Sequence, residues 1–367
     1  MPRPTLLLTG AAGFVGTAVL AEVARAEPTF RRVLLVRSAS SAERLRSRLA
    51  LYLGEAEAAR VLAESALVRA DLRSLDARAP VPWAEITHVI HAAANTSFLS
   101  REDVFRTNVG GTLALVDRLR SAPRLARFLH VSTAYQCGAG TAALVPEDDA
   151  PGTGADHPVA YTRSKAEAEA ALAERARDLP VIIARPSVIV GHTALGCRPS
   201  ASLYWYYRAL AVSNFTPFPP ARRRDVVPVD YVAGALVRLL TAPALAHRVY
   251  HVSAGPGAAA TWREIADELC RLHGVSHASP PVLADRALLG ARKAEVLRAC
   301  HAPDDGVLLS AMAAAFEFAR YGAEVFDNAR LLGEGIAPPP SFVRYAHRCA
   351  AEPPGRTVHD DLRDELD

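Results

Sequence analysis

The stretch Thr5-Leu6-Leu7-Leu8-Thr9-Gly10-Ala11-Ala12-Gly13-Phe14-Val15-Gly16 decides the fold. An apolar run of strand length passes without a linker into a G-x-x-G-x-x-G turn, and Phe14 opens a segment of helical period. Glycines let the main chain approach a pyrophosphate closely, and the first turn of a helix offers unpaired N–H donors with a partial positive charge. A glycine triplet alone can be no more than a tight turn; its place after the first strand points to a dinucleotide site over Thr9, Gly10, Gly13, Phe14, Val15 and Gly16.

Working outward, apolar runs alternate with long Ala/Leu/Arg segments. Further strands are expected at Arg32 to Val36, Ala66 to Ala70, His88 to Ala92, Arg127 to Val131, Val181 to Ala184 and Val249 to Val252. Helices are expected from Gly13, over Ala42 to Glu64, Glu102 to Leu119, Tyr161 to Arg177, and from Asp230. Strands alternating with helices of this length predict an α/β fold of the Rossmann type, a doubly wound parallel sheet covered on both faces.

Past Arg185 the composition shifts to Gly, Pro and aromatic residues. We expect residues 1–191, with 226–254 returning, to form the dinucleotide-binding core. Residues 192–225 and 255–348 would form a smaller, mostly helical substrate subdomain over the carboxyl ends of the strands. Residues 353–367 hold five acids and two arginines and are expected to be disordered.

Composition narrows the function classes. The 367 residues are 50% apolar and 22% charged, enough for a large core, which excludes disorder and a disulfide miniprotein. The five cysteines show no C-x-x-C pair, so thiol chemistry, structural zinc and a disulfide framework lack support. No run approaches the roughly 18 apolar residues of a membrane span, and MPRPTLLLTG lacks the features of a signal peptide; a cytoplasmic protein is expected. The net charge is +3 and diffuse apart from Arg222-Arg223-Arg224, which argues against nucleic acid. His88 and His91, three apart on a strand, face opposite sides and make a poor metal pair, so no metal is expected.

An NAD-preferring site places Asp or Glu at the end of the second strand for the ribose hydroxyls. Here Arg37 follows, and a guanidinium suits the 2′-phosphate of NADP, with Arg48 as a second clamp. NADPH is therefore expected over NADH. Asp71-Leu72 closes the third strand. Ala92, Ala93 and Ala94 close the fourth and would leave room for a flat cofactor ring.

Of 42 basic residues only Lys165 and Lys293 are lysines. Tyr161-Thr162-Arg163-Ser164-Lys165 puts a phenol and one of those two ammonium groups at i and i+4 on one helix face. In a chain that otherwise uses Arg for positive charge, a chance match is improbable. An adjacent cation favours phenolate and is expected to lower the Tyr161 pKa from about 10. His130-Val131-Ser132-Thr133-Ala134-Tyr135 brings hydroxyls to the end of the fifth strand.

The combination of TGAAGFVG, HVSTAY, YTRSK and the Asn of RTNVGGT resembles the extended short-chain dehydrogenase/reductases over roughly residues 4–260. The resemblance implies that Tyr161 is the proton donor, that Lys165 binds the ribose and tunes Tyr161, and that a hydroxyl polarises the substrate carbonyl. Counting back from Gly138 puts that hydroxyl on Thr133, with Ser132 second. It also implies that Asn108 supports the lysine through water and that Pro186, Ser187 and Val188 lie against the cofactor.

Within that superfamily, VLLVRSASSAERLRSRL, HAAANTSF, NVGGTLALVDRL, YTRSKAEAE, RPSVIVG and DVVPVDYVAGAL resemble the thioester reductase and fatty acyl-CoA reductase branch. The chain departs from it after Arg185-Pro186-Ser187, where the long acyl-binding insertion of fatty acyl-CoA reductases is missing. The resemblance implies hydride delivery from NADPH to an acyl thioester, giving an aldehyde, with a second reduction to the alcohol left open by the sequence. With no adenylation or carrier domain in the sequence, an acyl carrier protein or CoA thioester is expected to arrive in trans.

Tyr204, Tyr207 and Phe215, with Trp205, Tyr206 and Phe218, are expected to line an acyl pocket or else pack a core. Arg222 to Arg224 are placed to meet a phosphopantetheine phosphate or an acidic carrier protein, although at least two of the three are expected to be solvated; Arg224, assigned to the substrate pocket, also stands where sugar-nucleotide enzymes carry a pyrophosphate-binding Arg. Two other readings remain open: reduction of a ketone, aldehyde or nucleotide sugar by the same residues, and a non-catalytic NADP-binding regulator. Tyr161 and Lys165 count against the regulator.

Overall fold

Seven apolar runs pair in parallel in the order β3-β2-β1-β4-β5-β6-β7: β1 (Thr5–Thr9), β2 (Arg31–Val36), β3 (Ser65–Arg69), β4 (His88–His91), β5 (Arg127–Val131), β6 (Val181–Pro186) and β7 (Val249–Val252). The computed structural model describes residues 3–75, 79–96, 101–148, 150, 152–200, 202–351 and 356–366. Side chains alternate across the sheet. Leu6, Leu8, Leu34, Ile90 and Leu129 enter one apolar layer, with the helices Phe14–Ala26 and Val229–Thr241; Leu7, Val33, Leu35, Val89 and Phe128 enter the other, with Leu115 and Leu172. Both faces are covered, as an all-parallel sheet requires.

β1 lies between β2 and β4, with Thr9 in register with both Leu35 and His91. Connections leave β1 and β4 in opposite directions from this point, which opens a crevice at their carboxyl ends.

Two expected helices are interrupted. The one over Ala42 to Glu64 is two helices, Ala39–Leu53 and Glu55–Ala63, because Gly54 takes a left-handed φ of +81° and ends the first. The one over Glu102 to Leu119 starts as Arg101–Phe105, widens into a π-helical turn at Arg106–Gly110, and continues as Gly111–Leu119.

A second apolar core gathers around the helix Tyr204–Ser213 and includes Trp262, Phe316, Phe326 and Phe342. The expectation of a disordered tail is overturned: Val358–Leu366 is a helix. Val358 and Leu362, one turn apart, are buried in this core, and the buried Asp361 carboxylate accepts from Arg208 at 2.6 Å and Arg356 at 3.1 Å. Average acidity hid an amphipathic helix with its own counter-charges.

Candidate active site

The Gly-rich turn is shaped by contacts no side chain could share. A Cβ on Gly16 would stand 2.0 Å from the Gly10 carbonyl oxygen, and one on Gly10, whose φ is +71°, would stand 2.6 Å from the Ala93 nitrogen. The helix Phe14–Ala26 therefore sits directly on the turn, and the turn directly on the end of β4. That helix has no side-chain cap and no acid in its first turn, so its leading N–H groups are available to an anion. Arg48 Nη1 braces the turn by donating to the Ala12 carbonyl at 3.0 Å.

Arg37 is exposed just beyond β2, near the Asp71 carboxylate, whose pKa is lowered chiefly by its hydrogen bonds from Arg73. Ala92, Ala93 and Ala94 are half-buried at the rim; Ser97 and Phe98 of the HAAANTSF stretch lie outside the described residues. Leu72 packs close to Gly111. Pro186 ends β6, and Val188 pairs with Val226 just beyond the buried Ser187. A small-residue rim, an uncapped helix start and an exposed guanidinium fit a dinucleotide.

A chain of hydrogen bonds crosses the crevice from this turn to Asn108. Thr112 Oγ1 donates to the Asn108 carbonyl at 2.6 Å, so it must accept from His91 Nε2 at 3.0 Å. Burial pushes His91 down to about 3, which keeps the ring neutral, and its Nδ1 accepts from Thr9 Oγ1 at 2.7 Å. Thr9 Oγ1 in turn accepts from the Ala93 N–H at 3.3 Å. Every proton in the strut is accounted for, and the His91 tautomer is fixed by its partners rather than by a metal.

The Asn108 side chain, at the π turn, accepts from Asn95 N at 2.7 Å and donates to Ser164 Oγ at 2.8 Å. Ser164 Oγ donates to the Tyr161 carbonyl at 2.6 Å. Asn108 thus supports the first turn of the helix Ala160–Arg175, which carries Tyr161 and Lys165. Lys165 is buried, and its Nζ donates to the Val131 carbonyl at 2.8 Å, at the end of β5. Thr133 follows two residues on, where its Oγ1 accepts from Tyr135 N at 3.3 Å and its own hydroxyl proton is not used in that bond. The neighbouring Ser132 hydroxyl instead donates to the buried Glu169 carboxylate.

The electrostatics correct one expectation. Burial pushes Tyr161 up to about 12, with no compensating pull from Lys165, whose ammonium is directed at a main-chain carbonyl. Burial pushes Lys165 down to about 8, against a raising influence from Glu169. Tyr161 is therefore a protonated phenol near neutrality, the form a proton donor needs.

The aromatic residues expected either at a pocket or in a core lie inside the second core. Tyr204 is buried with its hydroxyl on His273 Nε2 at 2.9 Å, Tyr207 packs on Trp262, and Phe215 and Phe218 are buried. Arg224 is buried too, with its guanidinium over the Phe218 ring at 4.2 Å and Nη2 donating to Tyr135 Oη at 3.2 Å. Arg222 and Arg223 are not merely solvated, as expected of two of the three arginines, but brace main-chain carbonyls of Ala319, Pro256 and Ala259 at 2.8 to 3.0 Å. Sequence reasoning missed Glu169 and its partner Arg185. The available signal was an acid one turn beyond Lys165, amid the buried Ala166, Ala168 and Leu172.

This fold with this site defines an NAD(P)-dependent reductase of the extended short-chain dehydrogenase/reductase type. The chain belongs to the male sterility protein family of NAD-binding domains, whose model matches residues 8–236. It is 29% identical over 266 residues to the non-canonical nonribosomal peptide synthetase FrzA of Cladobotryum sp. That alignment takes in 67% of this chain and 26% of FrzA. Identity to the aldehyde reductase lnaA of Aspergillus flavus is 31% over 271 residues, 67% of this chain and 25% of lnaA. The chain thus spans about a quarter of the length of these relatives.

Among solved structures, the terminal R domain of the myxalamid PKS-NRPS pathway superposes with a TM-score of 0.74 at 26% identity, covering 95% of this chain and 90% of that one. An archaeal thiolation-reductase di-domain has the same fold at 19% identity, with a TM-score of 0.71 over 95% of this chain and 75% of the other. Among the described residues, no helix is long and apolar enough to cross a membrane and no His/Cys/Asp/Glu group could hold a metal ion.

Proposed function

We propose that this chain reduces acyl thioesters, carried by CoA or by the phosphopantetheine arm of a carrier protein, to aldehydes at the expense of NADPH. The observation that supports the reading is a network of hydrogen bonds: the helix of Tyr161, a protonated phenol near neutrality, is tied by Lys165 to the Val131 carbonyl two residues before Thr133, and through Ser164, Asn108, Thr112 and His91 to Thr9 at the start of the Gly-rich turn. Kinship with a terminal R domain along nearly the whole chain supports the thioester as substrate.

Thr9 to Gly16 and the start of the helix Phe14–Ala26 would hold the pyrophosphate, Arg37 the 2′-phosphate, and Lys165 the nicotinamide ribose. The bound reduced nicotinamide supplies the hydride. Thr133 and Tyr161 donate hydrogen bonds to the thioester oxygen and stabilise the negative charge that develops there. Tyr161 then gives its proton to that oxygen, and the thiohemiacetal forms. When the tetrahedral carbon collapses, its hydroxyl returns the proton to the Tyr161 phenolate, the C–S bond breaks, and the sulfur leaves as a thiolate that takes a proton from solvent. A thiol of pKa about 8.5 leaves far more readily than an alkoxide, so the same residues release an aldehyde. The substrate enters over the strand ends, where residues 192–225 and 255–348 contribute the wall.

The reading is tested by incubating the protein with NADPH and acyl-CoAs, acyl-pantetheines, simple ketones and a sugar nucleotide. Thioester-dependent NADPH oxidation with release of free thiol is expected. Turnover of a ketone or sugar nucleotide without thiol release overturns it, and NADPH binding without turnover of any substrate points to a regulator.

A further inference from the structure

Behind the Thr133, Tyr161 and Lys165 groups lies a buried ionic cluster that the mechanism does not use. Glu169 and Arg185 are each 1% exposed and joined by a 2.6 Å bond, with Arg185 Nε a further 3.1 Å from both carboxylate oxygens. The remaining Arg185 donors hold the main chain of the preceding loop, Nη1 reaching the Asp148 carbonyl at 2.5 Å and Nη2 the Ala150 carbonyl at 3.3 Å. Glu169 also accepts from the Ser132 hydroxyl. Desolvating two charges is expensive, and an apolar pair of similar volume often serves stability as well. The pair therefore asks for a reason beyond stability.

Its surroundings supply one. Tyr161, Lys165 and Glu169 are spaced four residues apart, so they stand in one row on the same helix face. Lys165 is buried, and its ammonium donates to a neutral main-chain carbonyl. The groups that face it from the sheet are His130 on β5 and His91 on β4, both held neutral by burial. Arg185 on β6 faces Glu169. From the helical turns packed against Ala160–Arg175 comes the uncharged Asn108, while Asp103 and Arg106 are exposed and paired with each other. Glu169 is thus the negative charge closest to the buried ammonium among these groups.

We propose that Glu169 is a positioning residue of the candidate catalytic centre: anchored by Arg185, it draws the Ser132 hydroxyl away from the reacting groups, leaving Thr133 for the substrate carbonyl, and it keeps Lys165 in its ammonium form. The inference rests on the functional reading above only for the role of Thr133; the effect on Lys165 is a property of the protein alone.

The two lysines make a direct test available. In protein labelled with ¹³C at lysine Cε, two signals are expected, and Lys293→Arg identifies the exposed one. The Lys165 signal is titrated in the full chain, in Glu169→Gln, and in Glu169→Gln/Arg185→Met, which removes both charges should the single variant fail to fold. Loss of the carboxylate lowers the Lys165 midpoint by about one unit or more, further in the single variant, where Arg185 is left unpaired, than in the double. A merely structural role predicts the opposite sign, because a loosened core admits water and raises the midpoint toward about 10.4. An unchanged or raised midpoint in a folded variant overturns the proposal. The titration needs no substrate, so a failed thioester assay and a failed titration are separate results.

Discussion

Lys165 Nζ donates to the Val131 carbonyl at 2.8 Å, and that bond ties the helix carrying Tyr161 to the strand that leads into Thr133. Tyr161 and Thr133, the proposed proton donor and second hydroxyl, are thus linked through one buried ammonium. Lys165→Met should cut turnover about 100-fold or more and weaken NADPH binding, measured by fluorescence titration. Wild-type turnover in this variant would remove Lys165 from the site.

Tyr161→Phe deletes the donated proton and leaves the ring. Turnover should fall about 1,000-fold while NADPH affinity stays within a few-fold, since the helix and its bonds through Ser164 and Lys165 persist. Single-turnover absorbance at the nicotinamide band checks both.

Thr133 and Ser132 are adjacent but differently engaged. Thr133→Val should cost about 100-fold in kcat, and Ser132→Ala much less, because the Ser132 hydroxyl is bound to Glu169. The reverse order would reassign the hydroxyl that meets the carbonyl.

Arg37→Ala should raise the Kd for NADPH about tenfold to a hundredfold, the worth of a charged hydrogen bond, with little change for NADH. Equal losses for the two nucleotides would contradict a 2′-phosphate contact.

The pH dependence follows from Lys165 at about 8 and Tyr161 at about 12. Tyr161 keeps its proton across the neutral range, so kcat/KM should hold up to about pH 8 and fall above it as Lys165 loses charge. Stability moves the other way for this group. Between about 8 and the ordinary lysine value of 10.5 the unfolded chain binds the proton and the folded one does not, so the penalty for burying Lys165 diminishes as pH rises. Chemical denaturation at a series of pH values measures that slope against Lys165→Met.

Much of this was legible in the residues. The strand runs and the glycines at 10, 13 and 16 read directly, because period and turn chemistry are local. Four-residue spacing and the scarcity of lysine singled out Tyr161 and Lys165 as site candidates, and one helix carries both. What escaped depended on distant partners. The tail helix is stabilised by Arg208, far away in the chain, and by a core it joins. For Tyr204 and Phe215 the residues left pocket and core open, because whether an aromatic lines a cavity or fills a core is decided by the helices packed over it. The Tyr161 acidity was misjudged because spacing shows a neighbouring ammonium without showing where it points or how deeply the phenol is buried. Glu169 was overlooked because its partners Ser132 and Arg185 come from two other strand ends.

The central claim is that a carbonyl attached to sulfur is reduced here. Free thiol and NADPH consumption, followed together on an acyl-CoA or acyl-pantetheine, test it most directly: one thiol released per NADPH oxidised in the first reduction, abolished by Tyr161→Phe, is the predicted result. NADPH oxidation on ketones or sugar nucleotides, with no thiol released from any thioester, would contradict it.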